Sequence, residues 1–478
     1  MLKSPSRRRR PRNRPAYLGL TLLGATALVA GLTSAPAAAG TEDIPDVGEV
    51  VTSDNVNHLA NVPKAPPFDN MDSTGTDLAF TGDYAIDGNY NGFVIYDISQ
   101  PAEPRIVSQV LCEGGQGDVT VSGDLLYLSV DYPREGQECG APASSPEDPD
   151  AFEGMRIFDI SDMTQPEYVS AVPTDCGSHT NTLVPGKDGK KDYIYVSSYA
   201  PAEQFPNCQP PHDKISIVEV PLDDPAAADV TAEPVLFPEG GNEGDGGMAR
   251  PTEGCHDITA YPERDVAAGA CMGDGIIMDI SDPVDPTVTE RVQDDNFAFW
   301  HSATFTNKAK GVLFTDELGG GVAATCNEEV GPKRGADAVY SMKGKKDPTL
   351  EFESYFKNPR HQADTENCVA HNGSLIPVPG KDYFVQSWYQ GGVSVIDFND
   401  PANPEEIGYF ERGPLSEEQK ITGGSWSAYY YNGHVYSSGM VKGLDVLELD
   451  DKRLKGAEKV TYDEFNPQSQ PRYKPGNR

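Results

Sequence analysis

The sequence predicts an all-β fold: a seven-bladed β-propeller of four-stranded antiparallel blades, closed by an outer strand from the N-terminal side. Three observations predict it. Four segments are near copies, each an apolar run, an Asp, a Pro-bearing turn and a second extended run: "FVIYDISQPAEPRIVSQV" (93–110), "MRIFDISDMTQPEYVSAV" (155–172), "IIMDISDPVDPTVTERV" (276–292) and "VSVIDFNDPANPEEIGYF" (393–410). A further hairpin precedes each copy, and no helical period interrupts the series. Small antiparallel sheets repeated in this way, each with a face to bury against its neighbours, form a propeller.

Within each copy, Asp97, Asp159, Asp279 or Asp397 ends a strand, and Ser or Asn with Pro makes the turn. Pro104, Pro166, Pro286 and Pro404 lead into the fourth strand, and an edge tolerates the missing N–H of proline. Inner strands start near Thr76, Gly117, His179, His256, His301, His371 and Ser425. The seventh unit (425–450) supplies only three strands. The segment 55–63 has the pattern of an outer strand and is expected to complete it against 444–450, which removes a free edge. The resulting organisation is a leader (1–39), an N-terminal arm (40–54), the propeller (55–450) and a polar C-terminal tail (451–478).

The "VIYDIS", "RIFDIS", "IIMDIS" and "VSVIDF" segments with their proline continuations resemble the LVIVD-repeat family of secreted propellers. Four blades carry the resemblance; "ISIVEVPLDDP" (215–225) and "AVYSMKGKKDP" (338–348) depart from it. It implies the fold and no defined reaction.

Residues 1–39 read as a secretory signal: basic "SRRRRPRNR", an apolar stretch (16–32) and an A-x-A site before Gly40. Either the general or the twin-arginine export route fits. No later apolar run reaches membrane length, so a secreted protein without a membrane anchor is expected. The leader holds seven of the 38 basic residues, leaving 31 against 74 acidic ones, a formal charge of −43. Such a field argues against nucleic acid as a partner and favours cations. A monomer contacting an extracellular ligand or protein is the expectation.

Eight cysteines in an exported chain predict disulfides. Loop equivalence suggests Cys139–Cys208, and Cys326 in the blade-five loop should reach Cys368, which leads into blade six. Cys255 and Cys271 straddle one hairpin turn, which leaves Cys112 with Cys176.

Half of the eight histidines share one setting: "CGSHTNT", "EGCHDIT", "FWHSATF" and "CVAHNGS". Aligned on their inner strands, His179, His256, His301 and His371 fall at one axial level in four consecutive blades. That level lies at the channel mouth where the long loops gather. Thr76, Gly117 and Ser425 take the other three positions and would leave room for a ligand. Converging imidazoles suit zinc, copper or iron. Asp87, Asp131, Asp274, Asp316 and Glu317 end strands near the same rim as candidate ligands, orienting groups or a general base. The same histidines would also serve as fasteners, each bonded within its own blade.

His58, His212, His361 and His434 fall outside the register and are expected at the surface or in loops. Glu243 and Asp245 in "GGNEGDGG" are candidate calcium ligands. Two functions follow: an extracellular binding scaffold with a His-lined metal or ligand site, or a secreted metalloenzyme, oxidase or hydrolase, using those four histidines. No G-x-S-x-G, H-E-x-x-H or phosphate loop is present. An occupied site on ordinary imidazoles would empty as pH falls through about 6.

Overall fold

The computed structural model describes residues 44–344 and 348–473, all within the compact unit Thr41–Arg478. The leader lies outside them. Seven antiparallel sheets ring a central channel, and each has four strands running from the channel outwards. In the first blade these are Gly75–Thr81, Tyr84–Asn89, Gly92–Asp97 and Arg105–Leu111. The strand Val56–Val62 pairs with Gly443–Leu449, with Val56 opposite Leu449 and Val62 opposite Leu444, and so closes the seventh blade as the sequence predicts. The arm before it adds Val50–Thr52 to the outer edge of blade six, opposite Phe410–Arg412.

The repeat is visible as chemistry. Asp97, Asp159, Asp279 and Asp397 each accept the N–H two residues on, from Ser99, Ser161, Ser281 and Asn399 at 2.8–2.9 Å. The residue between is drawn under the sheet: Ile98, Ile160, Ile280 and Phe398 are all buried. Their N–H groups bond the turn between strands one and two, at Asp83, Asp124, Asp265 and Asp382. The prolines stand one residue ahead of each outer strand, where no ladder bond is lost.

The core lies between blades, not at the axis. Ile86, Phe93 and Ile95 of blade one meet Val121, Leu126 and Leu128 of blade two, and the pattern continues around the ring.

Four disulfides form, two of them not as the sequence suggested: Cys112–Cys139, Cys176–Cys208, Cys255–Cys271 and Cys326–Cys368. Cys139 does not cross to the equivalent loop of the next blade. The connection entering a blade and that blade's own strand-two-to-three loop are neighbours on one face. Cys112 and Cys176 enter blades two and three and so meet Cys139 and Cys208.

The segment expected as a polar tail is instead packed across the lower mouth of the channel up to Tyr473. Glu464–Phe465 pairs with Phe80 and Thr81 of blade one. Asn466 brackets Val121 of blade two, Ser469 Oγ bonds the Leu183 carbonyl, Gln470 brackets Phe305, and Tyr473 reaches blade six at the Lys381 carbonyl. The strap therefore supplies partners to inner strands whose channel-side edge would otherwise be bare.

Candidate functional site: the histidine arc at the channel mouth

His179, His256, His301 and His371 are 4%, 5%, 1% and 1% exposed. Each precedes or begins an inner strand, so backbone register sets all four at one level. They face one another across blade boundaries rather than turning into separate blades. Successive ring centroids are 4.2, 4.0 and 4.2 Å apart.

The arc has two unlike halves. In the first, His179 Nε2 lies 2.8 Å from His256 Nε2, His179 Nδ1 2.9 Å from Asp131 Oδ2, and His256 Nδ1 3.0 Å from Asp257 Oδ1. Two nitrogens bound to one ion at about 2.0–2.1 Å with tetrahedral angles would stand further apart, at about 3.4 Å. This half is therefore a hydrogen-bonded chain, Asp131–His179–His256–Asp257. Burial, then the His179 ring, holds the His256 pKa well below the ordinary value, and burial raises Asp257 to about 7. A neutral His256 beside a proton-retaining Asp257 lets every link of the chain have one donor and one acceptor.

In the second half, Glu317 stands between two rings. His301 Nε2 is 4.0 Å from Oε2, and His371 Nε2 is 3.8 Å from Oε1. These gaps are too long for hydrogen bonds and a few tenths of an ångström wider than the spacing of about 3.4 Å between tetrahedral ligands, so an ion between them would draw the carboxylate and the rings slightly together. His301, Glu317 and His371 offer donor atoms all within 4.8 Å of one another, and so do His256, Asp257 and His301. His301 belongs to both sets. The outer nitrogens are held: His371 Nδ1 by the Trp426 carbonyl and His301 Nδ1, more loosely, by Thr315 Oγ1 at 3.4 Å. Tyr389 donates to Glu317 Oε1 at 2.6 Å. Burial lowers His371 to about 3 and His301 well below its usual range, and it raises Glu317 to about 8. Neutral imidazoles and a carboxyl held out of water would all gain from a cation between them.

The small residues opposite do not leave a chamber. Gln116 and Trp426 line the axis with the histidines, and the remaining cavity is about 10 Å³, room for about one water. Aromatic rings roof the arc: Tyr199 stacks on His256 at 5.2 Å, Tyr389 lies 4.5 Å from His371, and Trp426 lies 5.1 Å from His371. Above His179 and Asp131 a separate cavity of about 360 Å³ opens among the upper loops, lined also by Glu153 and Tyr132.

Of the rim carboxylates, Asp131 and Glu317 reach the histidines. Asp274 accepts from Arg291, Gln293 and the Asn242 N–H, and Asp316 from the N–H groups of Ala298, Phe299 and Gly335. Both clamp the loops that frame the site instead of entering it. Asp87 turns to Ser438 Oγ of blade seven. Asp245 accepts the N–H groups of Gly247 and Ala249. Among the described residues no group able to hold a metal includes Asp245 or Glu243.

His212 lies in a loop but is buried, bonded to Asp175 and Ser198, so it fastens blade three to its neighbour loop. His58 bonds Asp445 within blade seven at 2.7 Å. His361 and His434 are half-buried and lie outside the arc. Sequence reasoning missed Asp257 and Tyr389. The first had a signal, as the residue directly after His256. The second had none.

The LVIVD repeat matches residues 74–112 and 270–294. No curated protein matches the sequence. Among solved structures, the periplasmic gluconolactonase of Pseudomonas aeruginosa is similar at 11% identity and a TM-score of 0.51, over 82% of this chain and 96% of that one. The hydrazine synthase of Kuenenia stuttgartiensis is similar at 12% identity and a TM-score of 0.49, over 80% of this chain and 97% of that one. At such identities the likeness bears on the fold alone. The chain is therefore a seven-bladed β-propeller built with LVIVD repeats.

Proposed function

We propose that the protein is an extracellular binding propeller whose channel mouth holds one transition-metal ion, zinc, copper or iron, on His301, His371 and Glu317, with His256 adjoining. The observation that carries this is the pair of gaps from Glu317 to His301 and His371, 4.0 and 3.8 Å, among fully buried donors. Three ligands from three elements, two imidazoles and a carboxylate, match the donor set of zinc and iron centres. The export setting is supported by four disulfides, by the leader-like sequence and by the acidic composition. No helix among the described residues is long and apolar enough to cross a membrane. The long upper loops are the surface offered to an extracellular ligand or protein partner.

A second reading, a metalloenzyme acting as hydrolase or oxidase on a small substrate, is favoured by one further observation. The Asp131–His179–His256–Asp257 chain begins at the upper cavity, which Asp131 and His179 line, and ends beside the metal-holding half. Reversing its three hydrogen bonds carries one proton from Asp257 to Asp131. That would serve general acid–base chemistry in the upper cavity.

Elemental analysis of the protein purified from culture medium tests the metal. About one equivalent per chain is expected. His301→Ala should lose it while keeping the parent's circular dichroism, and His434→Ala should retain it. A folded parent that carries no metal and takes up none from zinc(II), copper(II) or iron(II) would overturn the proposal.

A further inference from the structure

Blade five departs from the repeat, and the departure has a structural consequence on the lower face, remote from the histidines. In blades one, two, four and six an aspartate ends the third strand, and a buried Ile or Phe follows it. Blade five has Ser341, Met342 and Lys343 at these positions. Met342 N still bonds the strand-one-to-two turn, now at the Lys310 carbonyl, 2.7 Å. Where the other four blades place Asp83, Asp124, Asp265 and Asp382, this turn therefore has lysine. Met342 is only half-buried and packs toward blade four, beside Val312 and Tyr340, leaving the underside of blade five less filled than that of its neighbours.

A cleft of about 1030 Å³ lies under blade five, reaching from Val266 of blade four to Phe384 and Phe398 of blade six, at the large end of small-molecule sites, which run to about 1,000 Å³. Its walls are apolar: Phe305, Leu313, Val339, Leu375, Phe384 and Phe398. Arg264, Lys308, Lys310, Lys343 and Arg472 also line it, against Glu263 and Asp382. Lys343 pairs with Glu351 outside the cleft, and Asp382 accepts the Asn307 N–H. Lys308 and Lys310 have no ion pair within 4.0 Å among the described residues, and Arg264 Nε is shielded from water without a hydrogen-bond partner. A local excess of cations on a chain of net charge −36, over an apolar floor, is complementary to one kind of molecule.

We infer that this cleft binds a small organic anion with an aromatic or acyl body, its charged end against Lys308, Lys310 and Arg264 and its body under blade five. The inference is independent of the metal. Titration with 8-anilinonaphthalene-1-sulfonate, beside the uncharged N-phenyl-1-naphthylamine, tests it on the folded full-length protein. One saturable site for the sulfonate is expected. Lys308→Glu with Lys310→Glu should weaken the sulfonate about tenfold or more, the loss expected from removing and reversing two exposed charges, and leave the neutral probe within about twofold. Met342→Trp should fill the cleft and weaken both probes, and His301→Ala should weaken neither. Thermal melts establish that each variant is folded. If the double variant does not fold, Lys310→Gln alone should still weaken the sulfonate selectively. Sulfonate binding that is unsaturable, or indifferent to both the lysine and the Met342 substitutions, would overturn the inference.

Discussion

The two mouths of the channel are closed by opposite means. At the upper mouth the blades' own inner strands supply ionisable side chains, and aromatic rings from the loops cover them. At the lower mouth a distant segment, 462–473, supplies amides and backbone groups that pair with the strands. The upper closure leaves buried groups whose pKa values are displaced: His371 to about 3, Glu317 to about 8. The lower closure leaves strand edges hydrogen-bonded. The difference separates the end that gathers buried titratable groups from the end whose paired backbone holds the ring.

The largest effect should come from removing the lower closure. Ending the chain at Lys459 deletes Phe465, which is buried and lies 6.0 Å from Phe80 and 6.4 Å from Tyr431, and it bares the edges of several blades. Phe465→Ala alone should cost about 3–5 kcal/mol. The truncated protein should melt about 10 °C or more below the parent. Calorimetry showing equal melting temperatures would mean that the strap is ornamental and the comparison wrong.

The upper closure should respond to pH instead. Glu317 keeps its proton up to about pH 8, and a carboxyl must lose it to ligate. The imidazoles are held below their ordinary range and do not compete in that window. Metal affinity should therefore rise by about tenfold per unit from pH 6 to 8, with the control residing in Glu317 rather than in imidazole near pH 6. Glu317→Gln should bind about a hundredfold more weakly at pH 8 and lose that slope. In the metal-free protein the sign is fixed by the raised pKa: Glu317 contributes stability below its unfolded value of 4.5, and this is lost as pH rises to about 8. The melting temperature of the parent should fall across that range, and that of Glu317→Gln should fall less. Parallel melting curves would show that Glu317 is not the titrating group.

Legibility in the sequence followed the same divide. The arc could be read because histidine is scarce here and recurs at a fixed offset from a repeated strand, so register alone aligned His179, His256, His301 and His371. Blade closure by 56–62 was equally legible, because a three-stranded blade leaves an edge that something must pair. The strap was not legible. Asn466, Gln468 and Gln470 look like any solvated tail, since their value lies in backbone groups more than a hundred residues away in sequence. The division of the arc into a hydrogen-bonded half and a half in which Glu317 stands between His301 and His371 depends on ring orientations that no spacing encodes. The two misassigned disulfides failed for a related reason: equivalence between blades is a relation of sequence, whereas bonding follows adjacency, and Cys112 is adjacent to Cys139.

The smallest effect gives the sharpest test of the lower mouth, because two neighbouring amides there are used differently. Asn466 accepts the Val121 N–H at 2.8 Å and donates to the Val121 carbonyl at 2.8 Å, replacing a strand that is not there. Gln468 contributes through its backbone carbonyl, which takes the Ala260 N–H at 2.8 Å, while its buried side-chain amide faces the Asp257 carboxyl without a close hydrogen bond. Asn466→Ala leaves a buried donor and acceptor unsatisfied and should cost about 2 kcal/mol. Gln468→Ala removes at most a weak contact to Asp257 and should cost no more than about 1 kcal/mol. Asn466→Asp keeps the acceptor but sets a buried carboxylate oxygen against the Val121 carbonyl, and should cost at least as much as Asn466→Ala near neutral pH. Chemical denaturation of the three variants ranks them. If Gln468→Ala proved as costly as Asn466→Ala, the strap would be held by packing, and the pairing of its amides with the inner strands would not be what closes the lower mouth.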